Sequence, residues 1–440
     1  MDDNIEEFNE YVGSDLQLPK NENIIVLYAG NLEIKDKNYS TVYNLNKAIV
    51  YFSFSSKPKI YFSGDVVNKD FFSNFNSQEF YISIPDFIPT KILITDQIYS
   101  SDNGQSLSGI ILNKIESCEK EIEKLYFYII NFDDYIGKCV RYNNNYYLGR
   151  INLNYDIWKI TIDKDPYHKE IYTKLKRFGM YEITHLGVIE RNDKKLFKPK
   201  DVDFLLNTLF WLLSFACGRY VGLDVQYGFK NGCCVWKRII DYKVSNWSNN
   251  VTWFSKHHVG ILEDIFPLFL DKLNNYFWKD ILTMAIDLYI HSIESDFIDE
   301  SFIWVSTVLE LLSWIKFTQE EQIISKEKFD KLLEADKIRL LLHDYGIPIK
   351  LPFDINSNKY QDGPHLFVEI RNSIVHPMKK EKVKDLSFND KWKAHLLGLW
   401  YLELIILNIM GYDGKYVNRL KLIDHNLYEG NVEMVPWSKK

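Results

Sequence analysis

The sequence predicts a multidomain α+β protein, with a β-rich, sandwich-like amino-terminal half followed by an all-α helical bundle. Three observations predict it. Through the first 200 residues, short runs rich in β-branched and aromatic residues alternate with turn dipeptides. From Val202 the apolar period changes from that of strands to that of helices. Toward the end, apolar stretches of helical length follow one another with short connections, as an antiparallel bundle requires. With 440 residues and 46% hydrophobic content the chain can build more than one core. The expected division is a β-rich domain over 1–200, a helical and irregular connector over 201–260, and the bundle over 261–440.

The runs NIIVLYAGN, TVYNL, AIVYFSF, KIYFSGDVV and EFYISIPDF read as strands of a sandwich or barrel, and so do GKCVRYNNNYYLGRINLNYDIWKITI and YEITHLGVIE. The asparagine triplet after Tyr142 predicts a hairpin turn, since asparagine tolerates positive φ. Alternating charged and apolar residues predict one helical interruption over Asn113 to Lys124. Lys194 to Lys200, with Pro199, marks a boundary. Between Gly218 and Trp253 the chain is rich in glycine and aromatics, which fits an irregular connector. One long helix follows over Glu263 to Ser295, with a bend expected at Pro267. Ser301 to Phe317 reads as a second helix. Ser325 to His343 is a shorter charged pair, ended by Gly346 and Pro348. His365 to His376 and Asn389 to Met410 complete the bundle.

Several classes are disfavoured. A net charge of −7 argues against a protein that coats nucleic acid nonspecifically, while leaving room for a local basic patch. Five cysteines at irregular spacing fit a reducing, cytoplasmic setting, and the acidic start MDDNIEEFNEYVG does not resemble a signal peptide. Phe204 to Gly218 is apolar but short for a membrane span. His395 to Met410 carries Glu403, whose ionised carboxylate would be costly in lipid without a partner. Both read as helices buried in protein, and no membrane association is expected. Cys217, Cys233, Cys234, His257 and His258 could suggest zinc, but they lack ligand pairs two to four residues apart. Buried or incidental thiols are the simpler reading, and the residues alone do not decide. Asp163, Asp165 and His168 read as a turn before Pro166 rather than as metal ligands. No phosphate loop, HExxH or GxSxG is present, and no cofactor or metal is expected.

The segment RNSIVHP, Arg371 to Pro377, carries the chemistry. Arginine grips phosphate with a planar fork, and histidine can take and give a proton near neutral pH. Residues five apart on a helix point roughly 140° away from each other, so Arg371 and His376 cannot share one ideal helical face. Pro377 biases His376 away from helical ψ, which predicts that the helix ends there. A helix C-terminus favours an imidazolium. The pair suffices for metal-free cleavage of RNA, where the 2′-hydroxyl is the nucleophile. Its bland reading is an amphipathic helix with a surface arginine and a satisfied histidine at its end.

Other segments accompany the motif: FIWVSTVLELLSW, KIRLLLHDYGIPIKLP and HLFVEI before it, then a lysine cluster and SFNDKWKAHLLGLWYLELIILNIMGYDGKYVNRL. In that order, over about residues 261 to 425, they resemble the HEPN ribonuclease family, specifically the ApeA-like branch of bacterial anti-phage systems. LSFACGRYVGLDVQYGF and VWKR resemble the middle of the same family more loosely. The resemblance implies an all-α HEPN bundle with two motifs facing each other across a homodimer or higher oligomer. It implies a metal-independent endoribonuclease acting in abortive infection, with RNA as substrate. His376 would be the acid/base, Arg371 the stabiliser of phosphate charge, and Asn372 would either orient the site or bind phosphate as a neutral donor. Glu310, in VLELL, would support the site, either catalytically or as a structural partner of Arg371. Lys379 and Lys380 either guide RNA inward or lie on a solvated loop. The last helix is apolar on nearly every side, which predicts burial by a second copy. The β-rich half would sense a phage-derived activator, by exclusion. Two rivals are an inactive HEPN module that binds RNA or nucleotide, and an adaptor whose β-domain binds a protein or carbohydrate.

Overall fold

A computed structural model describes residues 10–13, 24–54, 57–67, 79–100, 104–351, 355, 359–424 and 431–438. The acidic amino-terminal stretch up to residue 9 lies outside them. The chain is α+β, with a β-rich region first and a helical region last. Its contacts divide it into two compact units, residues 1–207 with 221–248 and residues 208–220 with 249–440.

The first unit opens with a closed barrel rather than a sandwich. Strands β1 (Ile24–Lys35), β2 (Thr41–Ser53), β3 (Lys59–Val66), β4 (Phe80–Ser83), β5 (Thr90–Ser100) and β6 (Gly104–Ile111) pair in the order β1-β2-β3-β6-β5-β4. All the pairings are antiparallel, and β1 closes the ring by pairing with both β2 and β4. Alternation along β2 buries Tyr43, Leu45, Ala48, Val50 and Phe52. Leu45 and Ala48 are three apart, yet both point inward, because a bulge at Lys47 (φ 46°) inserts the extra residue that restores the phase.

The barrel is followed by an eight-stranded antiparallel sheet. Its strands are β7 (Lys114–Glu116), β8 (Lys124–Ile130), β9 (Lys138–Tyr142), β10 (Asn145–Tyr155), β11 (Trp158–Lys164), β12 (Ile183–Arg191), β13 (Val225–Lys230) and β14 (Cys233–Ile240). They lie in the order β7-β14-β13-β8-β12-β11-β10-β9. The turn between β9 and β10 falls in the asparagine triplet, with Asn143 at φ 54°. Residues 113–124 form no helix. Ile115 is buried and the edge strand β7 pairs with β14, so the alternating pattern there has the period of a strand. The turn expected at Pro166 is present over residues 166–167, where His168 N donates to Asp165 O at 3.0 Å, and a helix, α1 (His168–Phe178), follows it and is ended by Gly179 in the left-handed region.

The acidic cluster before α1 is structural. Asp163 is fully buried and forms a 2.6 Å ion pair with Arg150, while Asp165 accepts from Tyr167 N at 2.7 Å. The connector expected over 201–260 is not a separate piece. Its hairpin β13–β14 turns on Asn231 and Gly232, both at positive φ, and β13 pairs with β8 to complete the sheet. Its helix, α2 (Asp203–Cys217), passes into the second unit, which also takes residues from 249 onward.

The second unit holds α3 (Ile261–Asn274), α4 (Tyr276–Glu294), α5 (Ile298–Trp314), α6 (Lys326–Asp330), α7 (Glu334–Asp344), α8 (Gly363–Val375) and α9 (Phe388–Ile409). A short hairpin of β15 (Lys415–Val417) and β16 (Val432–Met434) follows. The single helix expected over 263–295 is two. Pro267 sits inside α3 without ending it, and the break comes at Asn275, whose side chain caps α4 by accepting from Phe277 N at 2.9 Å.

Helix α5 packs against α4, α7, α8 and α9. Helix α9 is buried almost throughout from Ala394 to Ile409 by its own chain. Its all-round apolar character therefore belongs to a central helix, and the second copy expected to cover it is not needed for that purpose. Glu403, at its middle, has the partner its burial demands. Arg419 approaches with Nε 2.9 Å from Oε2 and with Nη2 at Oε1, and Tyr289 Oη and Trp253 N donate at 2.5 and 3.1 Å. Burial, then the Glu403 charge, pushes the Tyr289 phenol far above its usual range. No helix among the described residues is long and apolar enough to cross a membrane.

Candidate functional site

The motif occupies the end of α8. The start of this helix is fixed by Asp362, which accepts from His365 N at 2.9 Å, with Pro364 in the first turn. Arg339 grips the same carboxylate at 2.6 and 3.0 Å, tying α7 to the start of α8. At the other end His376 N closes the last turn on Asn372 O at 2.9 Å. His376 itself is extended (φ −123°, ψ 98°), as a residue before proline prefers. Pro377 begins a short 3₁₀ segment to Val383, and Lys379 N donates to His376 O at 2.8 Å.

Arg371 is half-buried, with 24% of its side chain exposed. Its Nη1 lies 3.2 Å from Glu334 Oε2 and 3.3 Å from Asn372 Oδ1. Ser306 on α5 donates to the other oxygen of Glu334. Glu334 begins α7, where the helix dipole favours a carboxylate. Arg371 Nε is buried without a hydrogen-bond partner among the described residues. The guanidinium is thus oriented by α5 and α7 and retains an unsatisfied donor.

Glu310 is not its partner. That carboxylate takes Lys337 Nζ at 2.7 Å, because one helical turn along α5 it faces α7 beyond Glu334. Glu334 and Ser306, which do brace Arg371, carry no motif of their own; the acid in the first turn of α7 was the only available signal.

His376 is exposed, and its ring makes no hydrogen bond, ion pair or ring contact among the described residues. The lysines beyond it divide into two kinds. Lys382 pairs with Glu369 at 2.9 Å and Lys384 with Glu381 at 2.6 Å, whereas Lys379 and Lys380 have no carboxylate partner among the described residues. The arrangement therefore sets an oriented guanidinium at the end of α8, and just beyond it an imidazole and two ammonium groups that have no partner among the described residues. Such a set can bind a phosphodiester and move a proton at it.

The thiols and histidines weighed for zinc do not assemble. Cys233 and Cys234 lie on β14 of the first unit, while Cys217, His257 and His258 belong to the second. No group of three potential metal ligands occurs among the described residues.

Residues 117–250 match the YopA central domain and residues 275–431 the YopA C-terminal domain. Over 406 residues the chain is 34% identical to YopA of the SPbeta prophage in Bacillus subtilis strain 168, covering 89% of this chain and 90% of that protein. No solved structure matches. Since that identity runs through nearly the whole of both chains, and both family domains fall in order along this one, the protein belongs to the YopA family.

Proposed function

We propose that the protein is a metal-independent endoribonuclease of the HEPN type, ApeA-like, that acts as an effector of anti-phage defence by abortive infection. The observation supporting this reading is the end of α8, where an oriented Arg371 is followed by an exposed His376 whose ring has no partner among the described residues. In this reading the 2′-oxygen of RNA attacks the adjacent phosphorus and the bond to the 5′-oxygen breaks. The products are a 2′,3′-cyclic phosphate and a 5′-hydroxyl. His376 takes the 2′ proton or supplies one to the leaving oxygen, and Arg371 stabilises charge on the phosphate. Asn372 holds the guanidinium, and Lys379 and Lys380 draw the strand inward. Two motifs across a homodimer would supply both an acid and a base. The β-rich unit would answer to a phage-derived activator in the cytoplasm, and the prophage origin of the YopA relative fits a role in contests between phage genomes. Expression should arrest growth with the wild-type chain and not with His376→Ala at equal protein level. Arrest by both would overturn the reading.

The Glu334 carboxylate beside Arg371 favours one alternative, an inactive HEPN module that binds RNA or nucleotide. A paired guanidinium is a weaker phosphate ligand. RNA binding without cleavage at any protein concentration would select that alternative.

A further inference from the structure

One face of the eight-stranded sheet, in the first unit and apart from the Arg371–His376 motif, carries a second polar cluster. Alternation along β11 puts Lys159, Thr161 and Asp163 on that face. Across the ladder, Glu190 lies opposite Lys159, Lys124 lies opposite Glu190, and Arg150 lies opposite Asp163. Arg150, Thr161, Lys124, Lys159 and Glu190 line an open cleft of about 170 Å³. Pockets for drug-sized ligands begin at roughly 300 Å³, so this one suits a small ion or a polar end group.

Arg150 supplies the first donor. It is 5% exposed, and Asp163 holds its Nε and Nη2 at 2.7 and 2.6 Å. Nη2 also donates to Glu10 O at 2.6 Å. Nη1 has no hydrogen-bond partner among the described residues, and it is not sealed from solvent. A planar guanidinium pinned along one edge presents its remaining N–H groups in a fixed direction. Thr161, 7% exposed, likewise keeps an accessible hydroxyl without a partner among the described residues. Two buried side chains thus leave donors unspent at the wall of the cleft.

The charge around these donors is positive. Lys124, Lys159 and Lys194 lie 3.8, 3.6 and 3.6 Å from the single carboxylate of Glu190. Those separations are too long for hydrogen bonds, so the ammonium groups keep their N–H donors for another acceptor. Glu10, the other carboxylate lining the cleft, pairs with Arg141 at 3.3 Å. Three ammonium groups sharing one carboxylate, beside a fixed N–H and a hydroxyl, complement an anion that has several acceptor oxygens.

We propose that this cleft binds a phosphate dianion, as the free ion or as the end of a small phosphomonoester, through Arg150 Nη1, Thr161 Oγ1 and the ammonium groups of Lys124 and Lys159. Inorganic phosphate and ribose 5-phosphate, each titrated calorimetrically into the full chain at low salt, test it and separate the two sources. At least one should bind saturably. Tighter binding of phosphate marks the free ion as the ligand, tighter binding of the ester marks the end group, and equal affinity means that the cleft reads the phosphate alone. Lys159→Gln should weaken binding by about fivefold or more, and so should Thr161→Val, which leaves every charge in place. Thermal melts show which variants fold. Should Thr161→Val fail to fold, Lys159→Gln and Lys124→Gln decide, since both side chains are about half exposed. No saturable binding of either probe at millimolar concentration, or unchanged affinity in a folded variant, overturns the proposal.

Discussion

Arg371 on α8 pairs with Glu334 at the start of α7, 3.2 Å apart, while Glu310 on α5 pairs with Lys337. The carboxylate facing the motif arginine thus comes from a helix end, where the dipole stabilises its charge and Ser306 fixes its orientation. It sets the net charge a phosphate would meet.

Replacing that carboxylate by an amide separates charge from position. Glu334→Gln keeps an oxygen for Ser306 and removes the negative charge beside Arg371. RNA affinity at low salt should rise a few-fold, consistent with the roughly 1 kcal/mol or less carried by a partly exposed pair. Anisotropy with a 2′-O-methyl RNA measures it. Weaker binding would mean that the charge of Glu334 is needed to hold the arginine in place.

Assembly should depend on the motif's own surroundings rather than on α9. Met378 is 96% exposed immediately after Pro377, and Leu333, beside Glu334, is 73% exposed. In the composite-site reading these side chains meet a second copy. Met378→Glu should shift a dimer to monomer in light scattering and lower cleavage with it. A monomeric wild-type chain with full ribonuclease activity would sink the composite site.

The Glu403–Arg419 pair is a structural centre, and breaking it by halves should be costly. Arg419→Met leaves a buried carboxylate with only Tyr289 and Trp253 as donors among the described residues, and should cost about 3–5 kcal/mol in denaturant unfolding. Arg419→Met with Glu403→Leu should recover much of that loss. A single variant as stable as wild type would show that water or a rearranged side chain compensates the charge.

His395 should make the helical unit sensitive to acid. Its pKa is about 3 when folded, by burial and then Arg419, against roughly 6.5 when unfolded. Between those values the unfolded chain binds the extra proton, so this histidine's contribution is fully present above about pH 6.5 and is lost as pH falls toward 3. The slope is at most about 1.4 kcal/mol per pH unit. The difference in stability between wild type and His395→Phe should narrow as pH falls through this window. A difference independent of pH would refute the buried neutral imidazole.

Local chemistry was legible along the chain. Pro377 foretells the extended His376, the asparagine triplet foretells the β9–β10 turn, and β-branched runs foretell strands, because each depends on nearest neighbours. Where two local signals compete, sequence is a poorer guide: Pro267 was the more conspicuous breaker, yet Asn275 ends the helix because its side chain caps the next one. The residues 113–124 likewise carry an ambiguous alternation that pairing with β14 resolves as a strand.

What tertiary structure alone decided is which distant groups meet. Glu334 reaches Arg371, and Arg419 reaches Glu403, across loops whose course no local pattern encodes. The hairpin β13–β14 joins the sheet because β8 offers it an edge. The sequence by itself determined that α9 must be buried on every side from Ala394 onward, since that stretch has no polar face to give to water. Whether that burial came from its own chain or from another was a question of packing, and the chain's own helices answer it.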